Sequence, residues 1–347
     1  MVLIDDPRCD PRLAAALVSG GMGGSPIPLP VNGDSPTSEI YDFFALAESM
    51  FGDVFSAFAA AMPAVEGVTS SVEVIKGIDG NDITLFVHRP STVDGLTGDD
   101  PTRPGILHIH GGGMTFLEAA GGVYPRWRDQ LAAMGAVVIG VEFRNAAGKH
   151  GNHPFPAGLN DCTSALQWIS DNKAGLGIST VVVSGESGGG NLSLATALAA
   201  KRDGRLAQID GVYAQCPYIS NAYGVTTPEL TSLYENEGYF LTPDFMSACA
   251  KAYDPTGENA TNPLAWPYHA TKADLEGLPP HVISVNQLDP LRDEGLAYFA
   301  KLLGAGVSAV SRTVNGTAHG ADCLFGAAIP DVYMATIRDI LSFAGSL

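Results

Sequence analysis

The stretch Val181–Asn191, VVVSGESGGGN, places a single serine between an apolar run and a series of glycines. Val181–Val183 is β-branched and apolar, which is typical of a buried strand, whereas the residues from Asn191 onward have a helical pattern. Residues 185–189 match G-x-S-x-G, a motif whose serine, here Ser187, occupies a sharp strand-to-helix turn. A glycine-rich turn can also just reverse the chain, so the motif indicates a nucleophile only if partner residues accompany it.

The composition is that of a well-buried globular protein. Of 347 residues, 46% are hydrophobic and 16% are charged, and the formal net charge is −18. Such an acidic chain is unsuited to nucleic acid or to an anionic membrane surface. The sequence therefore predicts a soluble protein with no nucleic-acid partner.

The chain start and the cysteines predict the compartment. Residues 1–12 show neither the basic nor the apolar region of a signal peptide, and no apolar run reaches the roughly 20 residues of a membrane span. The cysteines are odd in number and widely scattered, with no C-x-x-C pair: Cys9, Cys162, Cys216, Cys249 and Cys323. We therefore expect reduced thiols in a cytoplasmic protein, without disulfides, a membrane span, a bound metal or a cofactor.

Strand-like and helical segments alternate along most of the chain. After a hairpin that turns at 79–81, we predict strands at 105–110, 136–143, 180–184, 211–214, 281–286 and 307–314, with helices at 158–172, 191–202 and 294–303. This alternation predicts an α/β fold with a mainly parallel sheet that is covered by helices on both faces.

Two segments fall outside this pattern and are expected to form a cap. The N-terminal segment, residues 1–70, includes a helical pattern for which Ser35 is the expected cap and Pro36 a first-turn residue. This helix covers either the core or a substrate pocket. Residues 217–271 interrupt the catalytic region, 71–347, with aromatic loops and a helix that begins near Thr242. An insertion of this length between two strands of a sheet indicates a lid or cap.

Polar residues follow three of the predicted strands at the sheet edge where ligands gather. HGGGM, residues 110–114, offers backbone N–H groups of the kind that an oxyanion hole needs. Asp289 and His319 follow two later strands, so the chain order is Ser187, Asp289, His319, which is the order of an α/β-hydrolase triad. We expect Asp289 to be the acid because it lies at its strand end, and Asp293 to cap the next helix.

The motifs HGGGM, GESGGGN, HPFPAGLNDC, DPLRDEG and HGAD resemble the hormone-sensitive-lipase family of α/β-hydrolases, the bacterial family IV esterases. The resemblance implies an α/β-hydrolase fold with a helical cap and a serine carboxylesterase activity. It also implies that Ser187 is the nucleophile and that an oxyanion hole is formed by the N–H groups of Gly112, Gly113 and Gly188. Many members have alanine at the position of Gly188, and the loop from Arg144 is longer than in most members.

Alternative functions remain open on the sequence. His108 and His110 form an H-x-H pattern on one strand, which could be the metal pair of a metal-dependent hydrolase. A plant hormone receptor of the same family lacks the catalytic histidine, so a non-catalytic ligand-binding protein is the second alternative. If the protein is an esterase, we expect a small-molecule ester as substrate, short-chain, aryl or lactone, and a monomer or homodimer.

Overall fold

The computed structural model describes residues 1–91, 103–225 and 227–347, and its centre is one eight-stranded sheet. The strand order is β1-β2-β4-β3-β5-β6-β7-β8; β2 is antiparallel to both of its neighbours and the pairs from β4 to β8 are parallel. The strands are β1 Val68–Lys76, β2 Asp82–Pro90, β3 Arg103–Ile109, β4 Val137–Glu142, β5 Ile178–Glu186, β6 Gly211–Gln215, β7 His281–Asn286 and β8 Ala309–Val314. The predicted mainly parallel sheet is confirmed.

The central strands are buried because helices cover both faces of the sheet. Every residue of β6 and β7 is buried, and the valines that precede Ser187 are fully inaccessible to solvent. The helices are α1 Pro11–Ser19, α2 Thr37–Ala60, α3 Tyr124–Ala133, α4 Ala157–Asp171, α5 Lys173–Leu176, α6 Gly188–Arg202, α7 Ser232–Glu235, α8 Pro243–Tyr253, α9 Lys272–Leu275, α10 Arg292–Gly304, α11 Ala321–Leu324 and α12 Pro330–Gly345.

Three helix starts differ from the sequence-based expectation. Helix α6 begins at Gly188, directly after the motif serine, rather than near Asn191. Pro36 is itself the N-cap residue of α2 instead of lying in its first turn. Helix α10 begins at Arg292 after Leu291, so Asp293 lies inside the first turn and the expectation that it caps the helix is wrong.

Helix α2 is 24 residues long and, by length and composition alone, could cross a membrane. This differs from the expectation that no apolar segment reaches that length. The same length and composition are also found in core helices of soluble proteins and in signal sequences, so these two properties do not assign α2 to a membrane. In the fold, Ile40 and Phe44 of α2 are fully buried.

Candidate active site

Ser187 occupies the turn between β5 and α6. Its backbone has φ 57° and ψ −118°, a strained conformation for a residue with a side chain. The turn is fixed by the Ser187 N–H, which donates to the Gln215 carbonyl at 2.9 Å, and by the Tyr218 N–H, which donates to the Ser187 carbonyl at 3.1 Å. A Cβ atom at Gly189 would collide with the Ile109 carbonyl, so glycine is required at the second position after the serine. The geometry is that of a nucleophile elbow.

Asp289 and His319 form a buried pair at the ends of β7 and β8. His319 Nδ1 lies 2.8 Å from Asp289 Oδ2, and Asp289 Oδ1 accepts the N–H of Leu291 at 2.8 Å. Burial by itself would lower the pKa of His319, but the charge of the Asp289 carboxylate and its contact with Nδ1 outweigh burial, so this pKa is raised well above its ordinary value. With Nδ1 engaged, Nε2 is the nitrogen that can accept a proton.

Asp293 binds the inserted segment instead of capping its helix. Its Oδ2 accepts the N–H of Ser232 at 2.8 Å and the hydroxyl of Thr231 at 2.9 Å, and its Oδ1 accepts Arg292 Nε at 2.8 Å. The sequence could not show this role, because the partners lie about 60 positions earlier in the chain. Asp293 is therefore a link between α10 and α7, away from His319.

The glycine loop after β3 brings backbone N–H groups next to the elbow. Gly112 and Gly113 have φ of 99° and 61°, values that favour glycine. The Gly111 N–H donates to Glu186 Oε1 at 2.6 Å, whereas within the described residues those of Gly112 and Gly113 have no acceptor. A Cβ at Gly188 would lie 2.7 Å from the Gly113 nitrogen, so the elbow and the loop are in close approach and alanine would fit here only after a shift.

Two carboxylates that the sequence analysis did not select hold this loop. Glu186, the residue before the serine, accepts the Gly111 N–H described above. Glu48 on α2 is buried, and its two oxygens accept the N–H of Leu117 at 2.7 Å and the N–H of Lys149 at 2.6 Å. The only sequence signal for Glu48 is one acidic residue among apolar positions of a helix.

His108 and His110 have separate surroundings. His108 Nε2 lies 3.5 Å from Glu186 Oε2, and burial lowers the pKa of His108. His110 stacks on Phe143 with ring centroids 4.3 Å apart, and its Nδ1 donates to the Gly111 carbonyl at 2.8 Å. In the described part of the chain, neither histidine joins two further His, Cys, Asp or Glu side chains at metal-binding distances, so the structure gives the metal-dependent alternative no ligand set.

A cavity of about 510 Å³ opens above the serine. Ser187, His319 and the glycine loop form its floor, and its walls are mostly apolar. The walls come from three parts of the chain: residues 21–29, α2 with Phe51 and Phe55, and residues 238–249. Phe116 from the loop after β3 packs between Phe51 and Phe245, with ring centroids 5.3 and 5.8 Å away, so helix α2 both fills the core and lines the cavity.

Comparisons with known proteins agree with this geometry. A family model described as the α/β-hydrolase fold matches residues 106–322. A solved structure titled brefeldin A esterase, a bacterial homologue of human hormone-sensitive lipase, is 45% identical, has a TM-score of 0.93 and covers 98% of this chain and 94% of its own. The chain belongs to the hormone-sensitive-lipase family of α/β-hydrolases.

Further comparisons define the activity. Esterase Est22 is 35% identical, with a TM-score of 0.86 and 99% of both chains covered. Carboxylesterase NlhH of Mycobacterium tuberculosis is 32% identical over 281 residues, which are 78% of this chain and 81% of that relative. The protein is a carboxylesterase that acts on small-molecule esters, which confirms the predicted family, fold and enzyme class.

Proposed function

We propose that this carboxylesterase cleaves its substrates through Ser187, His319 and Asp289. The observation that carries the proposal is the 2.8 Å contact between His319 Nδ1 and Asp289 Oδ2, in a pair whose histidine lines the same cavity as Ser187. His319 Nε2 takes the proton of Ser187 Oγ as the oxygen attacks the ester carbonyl, and Asp289 stabilises the imidazolium that results. His319 then protonates the leaving alcohol, and water repeats the sequence on the acyl-enzyme.

The oxyanion is assigned to the N–H groups of Gly112, Gly113 and Gly188. Gly188 is the first residue of α6, where the N–H has no partner within the helix, and the two loop glycines have no acceptor among the described residues. Removal of one such donor typically lowers kcat by about 10²–10³. Since all three donors belong to the backbone, the loop conformation and not a side chain determines this contribution.

The substrate class follows from the cavity. Its volume of about 510 Å³ and its phenylalanine-rich walls suit a modest apolar acyl or alcohol group, so short-chain and aryl esters are the expected substrates and lactones are a further class. Initial rates on nitrophenyl esters of increasing acyl length, measured beside a macrolide lactone, test this. Est22 has been solved with p-nitrophenol, which supports the choice of nitrophenyl esters as probes.

Residues 1–70 and about 217–271 are proposed to form the cap of the catalytic region. Both segments contribute walls to the cavity, and Tyr239 of the insertion donates to Asp6 of the N-terminal segment at 3.1 Å. Substitutions in the cap residues that line the cavity should change the preference for acyl-chain length more than they change the turnover of the shortest ester.

The five cysteines are all unpaired and buried, which supports the proposal of a reducing, cytoplasmic location.

The decisive test of the assignment compares two serines of the same segment. Ser187→Ala should abolish hydrolysis of p-nitrophenyl acetate, whereas Ser193→Ala, which removes a hydroxyl that donates to the Gly189 carbonyl, should remain active. Turnover above a few per cent in folded Ser187→Ala would refute the assignment. Activity measured in the presence of a metal chelator tests the metal-dependent alternative, because the serine mechanism predicts that the chelator leaves the activity unchanged.

A further inference from the structure

A thiol that the proposed mechanism does not use lies beside the catalytic pair. Ligand atoms of Cys216, Asp289 and His319 all lie within 4.8 Å of one another, and the three side chains are buried. We propose that these residues form a binding site for a soft divalent ion, Zn²⁺ or Cd²⁺, and that an ion bound there inhibits the esterase.

The backbone holds Cys216 in place next to His319. Cys216 directly follows β6, and its N–H donates to the Ser284 carbonyl of β7 at 2.7 Å. Its φ of 34° is unusual for a residue other than glycine, and it directs the chain into Pro217. Burial raises the pKa of the Cys216 thiol, so the thiol keeps its proton until an ion binds.

The ligand set is one that zinc and cadmium prefer. A thiolate, an imidazole nitrogen and a carboxylate oxygen are all common zinc ligands, and three protein ligands leave a fourth position open. In a tetrahedral site with ordinary bond lengths such atoms lie roughly 3.4–3.6 Å apart. His319 Nδ1 and Asp289 Oδ2 are now 2.8 Å apart, so the pair must open by roughly 0.6–0.8 Å while Cys216 moves closer.

An ion can reach this site through the substrate cavity. His319 lines the cavity, so the imidazole is the point of entry, and a water molecule can complete the coordination. Asp289 keeps its second oxygen on the Leu291 N–H, which orients the carboxylate as in other metal sites.

Occupation of the site blocks the base by fixing its tautomer. Before binding, the neutral imidazole carries its proton on Nδ1 and accepts one at Nε2. Once the ion takes Nδ1, the imidazole proton resides on Nε2, and the thiol loses one proton to solvent as the metal–sulfur bond forms. An imidazole protonated at Nε2 cannot accept the proton of Ser187, so hydrolysis stops.

Inhibition by Zn²⁺ tests the site with two buried cysteines as a matched pair. Cys216→Ala removes the proposed ligand, and Cys162→Ala removes an equally buried thiol on α4. For each variant, the rate of hydrolysis with Zn²⁺ is divided by the rate of the same variant without metal. Wild type and Cys162→Ala should be inhibited alike, Cys216→Ala should need at least about tenfold more Zn²⁺, and Mg²⁺ should not inhibit any of them. Equal Zn²⁺ sensitivity of Cys216→Ala and wild type would overturn the proposal.

A binding measurement keeps this test separate from the proposed esterase mechanism. Cd²⁺ bound to a thiolate gives an ultraviolet charge-transfer band, which we expect in Ser187→Ala even though that variant is inactive. The band should be lost when His319→Ala or Cys216→Ala is added to Ser187→Ala. A band that survives His319→Ala, or no band in Ser187→Ala, would overturn the site whatever the role of Ser187. The His319→Ala arm decides the matter even if Cys216→Ala fails to fold.

Discussion

Asp289 approaches His319 with one carboxylate oxygen, 2.8 Å from Nδ1, and binds the backbone of its own turn with the other. Neither residue is more than 5% exposed. The carboxylate is therefore fixed before it meets the imidazole, and water cannot take its place. In the proposed mechanism, this relationship determines which acid the enzyme depends on and how its activity responds to pH.

The two acids of the DPLRDEG motif should behave differently when each is converted to asparagine. Asp289→Asn removes the charge that orients and stabilises the imidazolium, so we expect kcat to fall by up to about 10⁴ with little change in Tm. Asp293→Asn loses part of its contact with Thr231 and Ser232 and should keep most of its turnover. Steady-state kinetics with thermal melts check both. An inactive Asp293→Asn beside a near-normal Asp289→Asn would reverse the assignment.

The pH profile should reflect the raised pKa of His319. A general base acts only when neutral, so kcat/KM must rise with pH, and the raised pKa moves the midpoint above 6.5. In Asp289→Asn the charge that raises the pKa is absent, so the residual activity should have its midpoint at lower pH. A wild-type midpoint at or below 6.5, measured with a substrate that does not ionise, would contradict this electrostatic account.

Glu48 should matter for turnover although it lies on α2, a helix of the proposed cap. In Glu48→Gln, an amide NH₂ replaces one of the oxygens that accept the Leu117 and Lys149 N–H groups, which leaves one N–H unsatisfied and costs about 1–3 kcal/mol. Because Leu117 continues the loop that carries Gly112 and Gly113, we expect kcat to fall together with stability. Glu39→Gln, an exposed acid on the same helix, is the matched control. Unchanged kcat in a destabilised Glu48→Gln would limit its role to structure.

Glu294 should make the fold less stable as the solution becomes more alkaline. Burial raises the pKa of Glu294 to about 8, while its oxygen accepts the Ile219 N–H at 2.7 Å. The folded protein therefore keeps a proton that the unfolded chain releases above about pH 4.5, and this stabilisation is lost as pH rises towards 8.

Glu294→Gln, which cannot ionise, should gain stability relative to wild type between pH 5 and 8, by at most about 1.4 kcal/mol per pH unit. Denaturant unfolding at several pH values measures the difference. Glu258 is exposed, so the unfolding free energy of Glu258→Gln should equal that of wild type at every pH. If the difference in unfolding free energy between wild type and Glu294→Gln does not change with pH, Glu294 is ionised in the folded protein.

The sequence was sufficient where local pattern and chain order carry the information. The strand ends at Ser187, Asp289 and His319 follow from apolar runs that stop at polar residues, and the fold class follows from alternating elements. Contacts between distant parts of the chain could not be predicted from the sequence. The pattern around Asp293 predicts a helix cap, whereas in the fold Asp293 binds Ser232. The pattern around Cys216 predicts a core thiol, whereas the fold brings Cys216 next to His319.

Helix α2 shows the same limit in another form. Its apolar spacing predicts burial, but not whether the buried face meets the core or a substrate. In the fold Phe44 is fully buried while Phe51 lines the cavity, because one helix passes over both. The carboxylate of Glu48 could not be assigned from the pattern, since its partners are backbone N–H groups that carry no sequence signature.

Covalent labelling of the nucleophile tests the central claim most directly. A serine-directed organophosphate should add one phosphoryl group per chain, in step with the loss of activity, and peptide mass mapping should locate it on Ser187. Folded Ser187→Ala should take up no label, and Ser193→Ala should be labelled like wild type. Stoichiometric inactivation with the label on another residue, or inactivation of wild type without a label on Ser187, would contradict the account.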